Sequence, residues 1–445
     1  MSVDWLKMTA AEQGREIGAG RIDPVALTEA HLDAIAAHPF GPRIYARTTP
    51  DRARAEAQAA AQRARQGLRR GPLDGVPISW KDLYDTAGVE TCSGSDLLAG
   101  RVPLADAEVL KNATLQGLVC LGKTHQTELA FSGLGLNPVT ESPPCVNDTE
   151  SVAGGSSSGA ATSVAFGLAA AAVGSDTGGS VRIPAAWNDL VGLKTTAGLL
   201  SLKGVVPLAA RFDTVGPLCR SVEDAALMLA ALGGGAAPDL EGASLAGKRL
   251  MLLETIVMDD LREAPRRGFG QAVERLQAAG ALVERRELPW LEETFPIIGP
   301  LFAGEAWGTW KAAIEAAPDK MFPPIRERFQ GGAAFSAADF VQAWQKLDQL
   351  RARWSAAVAG YDAVILPCSA IQPPNAARLL ADPDFFTTEN LLALRNTRLG
   401  NMMGVSALTL PTGVPSAGIM FFAPPFAESA LLRLGQAAER ALSAG

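Results

Sequence analysis

Two hydrophobic rhythms alternate along this chain. Near its start, apolar residues recur at helical spacing. Ala10-Ala11-Glu12-Gln13 leads one predicted helix and Asp23-Pro24-Val25-Ala26 starts another, with Asp23 as N-cap and Pro24 in the first helical position. Residues 50–67, rich in Ala, Arg, Glu and Gln, predict a third helix with an exposed face. The texture then changes. Short apolar runs over 76–80 (leading into Lys81), 118–123, 171–174, 248–254, 281–286, 361–367 and 406–411 predict strands. Helical patterns over 106–116, 159–168, 269–279, 290–357 and 429–442 fall between or after them. Such alternation predicts an α/β protein with a mixed or parallel sheet. The Gly233-Gly234-Gly235-Ala236-Ala237-Pro238 stretch is the best place for a break, yet the alternation continues on both sides. One continuous domain over 1–445 is therefore expected.

Composition narrows the function classes. The 445 residues are 48% hydrophobic and 20% charged, an ordinary balance for a soluble globular protein. The net charge is -7 and no long basic run occurs, so nucleic acid and anionic membranes are not expected as partners. The longest apolar stretch, residues 164–173, is about ten residues long, against the ~20 that span a bilayer. The first residues, Met1 to Lys7, carry no apolar signal-like run. The five cysteines are scattered, with no CxxC pair, which reads as reduced thiols in a cytoplasmic protein. No Cys/His spacing suits a metal, and neither a metal nor an organic cofactor is expected.

The chemistry concentrates in two runs of small residues. Gly154-Gly155-Ser156-Ser157-Ser158-Gly159 is followed by Gly174-Ser175-Asp176-Thr177-Gly178-Gly179-Ser180, and a lone Lys81 lies upstream in Gly75-Val76-Pro77-Ile78-Ser79-Trp80-Lys81-Asp82. Glycines let backbone N–H groups converge, and a serine ending such a turn sets its hydroxyl beside them. The histidines are His31, His38 and His125 alone. Gly155-Ser156-Ser157-Ser158-Gly159 matches the G-x-S-x-G elbow, but that fold needs a histidine after its serine and none follows His125. No serine lies three positions before a lysine, and no Walker phosphate loop is present. If serine is the nucleophile here, lysine is the candidate base.

Taken together, these segments resemble the amidase signature family. The resemblance is carried by both Gly/Ser runs, by Val181-Arg182-Ile183-Pro184-Ala185-Ala186, by Gly192-Leu193-Lys194 and Asp213-Thr214-Val215-Gly216-Pro217, and upstream by residues 75–82 and Gly122-Lys123-Thr124. It implies an α/β/α sandwich around a large mixed, twisted sheet, with core motifs in 75–225 and a variable helical pocket region at about 290–400. It also implies a Ser–cis-Ser–Lys triad. Ser180 would be the nucleophile, Ser156 the bridging serine after a cis peptide, and Lys81 the base. The N–H groups of Thr177, Gly178, Gly179 and Ser180 would form the oxyanion hole. Ser157 would hold the bridging serine and the lysine, and Asp176 and Arg182 would support the loop. Phe131 and Gly133 would line the substrate pocket. The chain departs from the family at Ala153, where proline is usual, at Ser158 and Ala160, and over Val146 to Glu150. None of these positions is a triad member.

Within the family, Ile183 stands where the A-type component of tRNA amidotransferases usually has glutamine. Such a component, or one from a biuret- or allophanate-type complex, remains an alternative, as does a non-catalytic binding protein. Trp307, Trp310, Phe322, Phe329, Phe335 and Phe340 read first as helix core, as aromatics are normally buried, and alternatively as an aromatic pocket wall. With Arg182 and Lys81 already occupied, no cation is expected to receive a substrate carboxylate. The expected substrates are neutral hydrophobic or aryl amides, with carbamates or esters beyond them, acted on by a monomer or homodimer.

Overall fold

The strands β1 (Tyr45–Thr48), β2 (Pro77–Lys81), β3 (Val119–Thr124), β4 (Ala171–Asp176), β5 (Val191–Lys194), β6 (Thr214–Cys219), β7 (Arg249–Leu253), β8 (Leu282–Arg286), β9 (Ala363–Pro367), β10 (Ser406–Pro411) and β11 (Gly418–Ala423) belong to one sheet. They are seen in a computed structural model that describes residues 4–443. The strand order is β1-β3-β2-β4-β6-β5-β10-β11-β9-β7-β8. The sheet is mixed: β3, β2 and β4 run parallel, as do β9, β7 and β8, while the pairs from β4 through β6, β5, β10 and β11 to β9 are antiparallel. Residues before and after 233–238 both supply strands to it.

The central strands are buried on both faces. Every residue of β2, β3, β4, β6, β9 and β11 is buried, which is why they read as continuous apolar or small-residue runs rather than alternating ones. At one edge, β8 carries Glu284, Arg285 and Arg286 and is largely exposed, a charged rim that discourages further pairing.

The strands expected from the sequence are all present. Four more, β1, β5, β6 and β11, are not anticipated by the pattern. The short β5 holds Gly192, and β6 holds Gly216-Pro217, residues that interrupt an apolar strand pattern. The 290–357 region is helical, as several helices that include Gly304–Ala316, Pro323–Gln330 and Ala337–Val358. The helix Pro383–Met402 is unanticipated, because many of its polar residues, Glu389, Asn390, Asn396, Thr397, Arg398 and Asn401 among them, are buried and blur the amphipathic pattern.

What positions the site is the pairing of β2 with β4. They are parallel neighbours, with Ile78 opposite Ala171 and Trp80 opposite Val173. Their C-terminal ends, Lys81 and Asp176, therefore emerge at the same edge of the sheet. The loop leading into the helix Ser158–Ala165 also reaches that edge.

Candidate active site

Lys81 is fully buried, and its Nζ makes two contacts, at 2.7 Å to Ser156 Oγ and 2.9 Å to Ser175 Oγ. Both partners are hydroxyls. Burial dominates and pulls the amine down to about 7, against the opposing charges of Asp176 and Asp213. Two other buried lysines have different surroundings. Lys123 faces Asp82 at 3.2 Å, and Lys194 donates to the carbonyls of Val405 and Thr195 at 2.7 and 3.0 Å. Of the three, Lys81 is the one in contact with a serine of the Gly/Ser runs.

Ser156 follows a cis peptide bond from Gly155. Its segment is pinned by backbone bonds: Gly154 N–H to Leu134 O at 3.0 Å, Gly155 N–H to Gly133 O at 2.8 Å, Thr127 N–H to Ser156 O at 3.1 Å and Ser157 N–H to Ser180 O at 3.2 Å. The last of these ties the two Gly/Ser runs together. Contrary to what the resemblance implies, Ser157 does not reach Lys81 or Ser156. Its Oγ donates to Ser175 O at 3.2 Å and accepts from Ser175 N–H at 3.3 Å. The hydroxyl that contacts the lysine is that of Ser175. Gly174 permits this approach, since a Cβ there would lie 2.7 Å from Ser157 Oγ.

The turn after β4 is organised around the Asp176 carboxylate. It accepts from Gly179 N–H at 2.9 Å, Val181 N–H at 3.2 Å, Arg182 Nε and Nη2 at 2.9 Å each, and Asn401 Nδ2 at 2.9 Å. Both members of the Asp176–Arg182 pair are fully buried. Burial pushes the Asp176 carboxyl upward, but the Arg182 guanidinium, Lys194 and Asn401 outweigh it and hold the group below the ordinary carboxylate range. Because Gly179 N–H is committed to Asp176, the available backbone donors are those of Thr177, Gly178 and Ser180. The expected set of four donors becomes three. Thr177 Oγ1 donates to Asp213 Oδ1 at 2.5 Å, a second anchor for the turn.

The helix Pro383–Met402 completes the clamp. Thr397 Oγ1 donates to Gly178 O at 2.7 Å, Arg182 Nη1 donates to Thr397 O at 2.7 Å, and Arg182 Nη2 donates to Asn401 Oδ1 at 2.5 Å. On the same stretch of helix, Leu394 and Arg398 line a cavity of about 180 Å³ that opens on Ser180, Thr177 and Gly178. Phe131, Ile298 and Phe302 form apolar parts of its wall.

This cavity corrects two expectations and decides a third between core and wall. Phe131 lines it, with its ring edge-on to Phe329 at 4.6 Å, but Gly133 stands behind Leu394 and donates its N–H to Asn390 Oδ1 at 2.9 Å. Trp307, Trp310, Phe322, Phe329, Phe335 and Phe340 are not in the wall. Trp310 and Phe329 are core, and the wall aromatic from this region is Phe302, stacked on Phe212 at 4.2 Å. The wall is also not uncharged, because Arg328 and Arg398 both reach it. Among the described residues, no group of three or more His, Cys, Asp or Glu side chains is placed to hold a metal ion, and no helix is long and apolar enough to cross a membrane.

The profile of the Amidase family matches residues 26–432. The chain belongs to the amidase family. It is 33% identical to 2-amino-5-chloromuconic acid deaminase of Comamonas testosteroni over 98% of this chain and 97% of that one. It is 30% identical to a component of the glutamyl-tRNA(Gln) amidotransferase of Chloroflexus aurantiacus over 98% and 96% of the two chains. A crystal structure of an amidase superposes with a TM-score of 0.85 at 30% identity, covering 97% of this chain and 99% of that one. The fold is that of the amidases, and the chain is an amidase-family hydrolase acting on C–N bonds.

In this amidase, sequence reasoning missed Ser175, Thr397, Asn401, Arg328 and Arg398. Ser175 lies inside a recognised run but has no distinguishing neighbour. Thr397, Arg398 and Asn401 form a polar cluster near the end of a helix half of whose residues are polar, so the cluster does not stand out. Nothing in the sequence says which loop that cluster meets.

Proposed function

We propose that this amidase hydrolyses linear amide bonds through an acyl-enzyme on Ser180, with Ser156 relaying protons to and from Lys81. The observation that carries this reading is the fully buried Lys81 with its Nζ 2.7 Å from Ser156 Oγ. A lysine held near pH 7 by burial is a base at neutral pH. In its neutral form it accepts from the Ser156 hydroxyl along that same contact. Ser156 in turn accepts the Ser180 proton as Ser180 Oγ attacks the carbonyl carbon. The N–H groups of Thr177, Gly178 and Ser180 receive the developing oxyanion. The proton then returns through Ser156 to the leaving nitrogen, the C–N bond breaks, and the amine departs. Water activated by the same relay attacks the acyl-enzyme and releases the acid.

The apolar wall of Phe131, Ile298, Phe302 and Leu394 supports substrates with a hydrophobic or aryl body. Each Å² of apolar surface buried contributes about 25 cal/mol, so kcat/KM should rise with hydrophobic area across a homologous amide series. Carbamates and esters of similar shape pass through the same tetrahedral intermediate and belong to the same reading. The Comamonas relative is named for an acid as substrate, so a charged group on the substrate is compatible with this scaffold.

The test is labelling by a fluorophosphonate probe, followed by a panel of amides, anilides, carbamates and esters. A phosphonyl adduct is expected on the peptide bearing Ser180 and absent from Ser180→Ala. An adduct of equal rate on Ser180→Ala would remove Ser180 as nucleophile.

A further inference from the structure

Arg398 is only 9% exposed, yet it makes no hydrogen bond and no ion pair among the described residues. Its Nε lies 3.9 Å from the Cβ position of Gly178, beside the turn that carries Ser180. Arg328, half-buried on the helix Pro323–Gln330, points its guanidinium over the Phe131 ring at 4.6 Å, and its buried Nε has no partner. Both arginines line the Ser180 cavity. No carboxylate is near enough to either arginine to raise its pKa, and burial acts on both without an opposing charge. Each arginine is also destabilised in its charged form. Burial is the first cause for both, bringing Arg398 to about 10, while Arg328 is brought to about 9 with the repulsion of Arg398 as second cause. Both stay protonated at neutral pH.

Unpartnered like charges in a mostly apolar cavity are costly. They are retained at little expense only if something that enters the cavity supplies the opposite charge. A carboxylate does so with matched geometry, because a guanidinium presents parallel N–H donors to two oxygens. The cavity holds Ser180 and both arginines together, so the carboxylate and the scissile carbonyl belong to one molecule.

We propose that Arg398 and Arg328 form a carboxylate subsite, so that the preferred substrates of this amidase are amides that carry a carboxylate as well as an apolar body. The proposal rests on Ser180 being the nucleophile, and it replaces the expectation of neutral substrates. Its chemistry is recognition alone and leaves the bond-breaking steps unchanged.

The deciding comparison uses matched amides of identical body, ending either in a carboxylate or in the isosteric carboxamide. In the unaltered enzyme, kcat/KM is expected to favour the carboxylate by roughly 10- to 100-fold, the range of one or two charge-assisted contacts. R398Q is expected to lower that ratio at least tenfold, and R328Q to lower it less. Calorimetry on Ser180→Ala gives a readout independent of turnover, in which the carboxylate amide binds more tightly than the carboxamide. A ratio of one or below in the unaltered enzyme overturns the proposal, whether or not the arginine variants fold. So does an unchanged ratio in a folded R398Q. Fluorophosphonate labelling of Ser180 separates the two readings: labelled enzyme with no carboxylate preference loses the subsite and keeps the nucleophile. Unlabelled Ser180 with a clear preference does the reverse.

Discussion

The chemistry of Lys81 turns on what surrounds one nitrogen. Its contacts are two hydroxyls, so nothing nearby rewards the charged form as strongly as burial penalises it. The sign of the pH dependence follows. Below about 7 the amine is protonated and cannot accept from Ser156, and above it the base is free. kcat/KM for a non-ionising amide is therefore expected to rise about tenfold per pH unit on the acid side and to level off above about 7. A profile that falls with rising pH over that range would contradict the assignment. Asp213 pulls the Lys81 value upward, so Asp213→Asn should move the midpoint of the limb to lower pH. The midpoint is the readout, because Asp213 also accepts from Leu208 N–H and Ala209 N–H, and the plateau will fall for that structural reason. Lys81→Ala should cost amide cleavage more than ester cleavage, since an amine must leave protonated and an alkoxide need not. Equal losses on a matched amide and ester would count against Lys81 as the proton source.

Among the elements, the turn from Thr177 to Arg182 depends on positions with no tolerance. Gly179 has φ +136°, and a Cβ there would lie 2.1 Å from Thr397 Oγ1. Gly179→Ala must displace either the turn or the helix Pro383–Met402, and kcat should fall far more than KM changes, as measured on one amide substrate. Arg182→Met removes the partner of a fully buried carboxylate. Leaving that charge unpaired is expected to cost ~3–5 kcal/mol in denaturant unfolding. A loss under about 1 kcal/mol, the range of a surface pair, would mean that Asp176 is satisfied without it.

These elements also show what is legible in the sequence. The buried strands β2, β3, β4, β7, β9 and β10 are readable because each is a short apolar run bounded by polar or turn residues. Lys81, Ser156 and Ser180 are readable because motifs specify them locally. The pocket wall is not. Whether an aromatic residue of 290–357 faces core or cavity is decided by helix packing across the molecule, and composition cannot separate Phe302 from Trp310. The two arginines are invisible for a related reason, since a sequence shows a charge but not the absence of its partner.

At the scale of the whole molecule, the base and the nucleophile's turn come from adjacent strands, β2 and β4, while the wall comes from residues far along the chain. One helix, Pro383–Met402, serves both. Leu394 and Arg398 face the cavity, and Thr397 and Asn401 grip the turn, at the i, i+4, i+3 and i+7 positions of one helical face. Any rotation of that helix that re-aims Arg398 also drags the carbonyl of Gly178. Evolvability is divided accordingly. Lineages diverging in what they consume would vary Ile298, Phe302 and Arg328, which line the cavity without gripping the nucleophile's turn, and would leave 394–401 almost untouched. A directed-evolution library confined to the first three positions should yield many active clones of altered preference, while one confined to the helix should yield few clones that turn over at all.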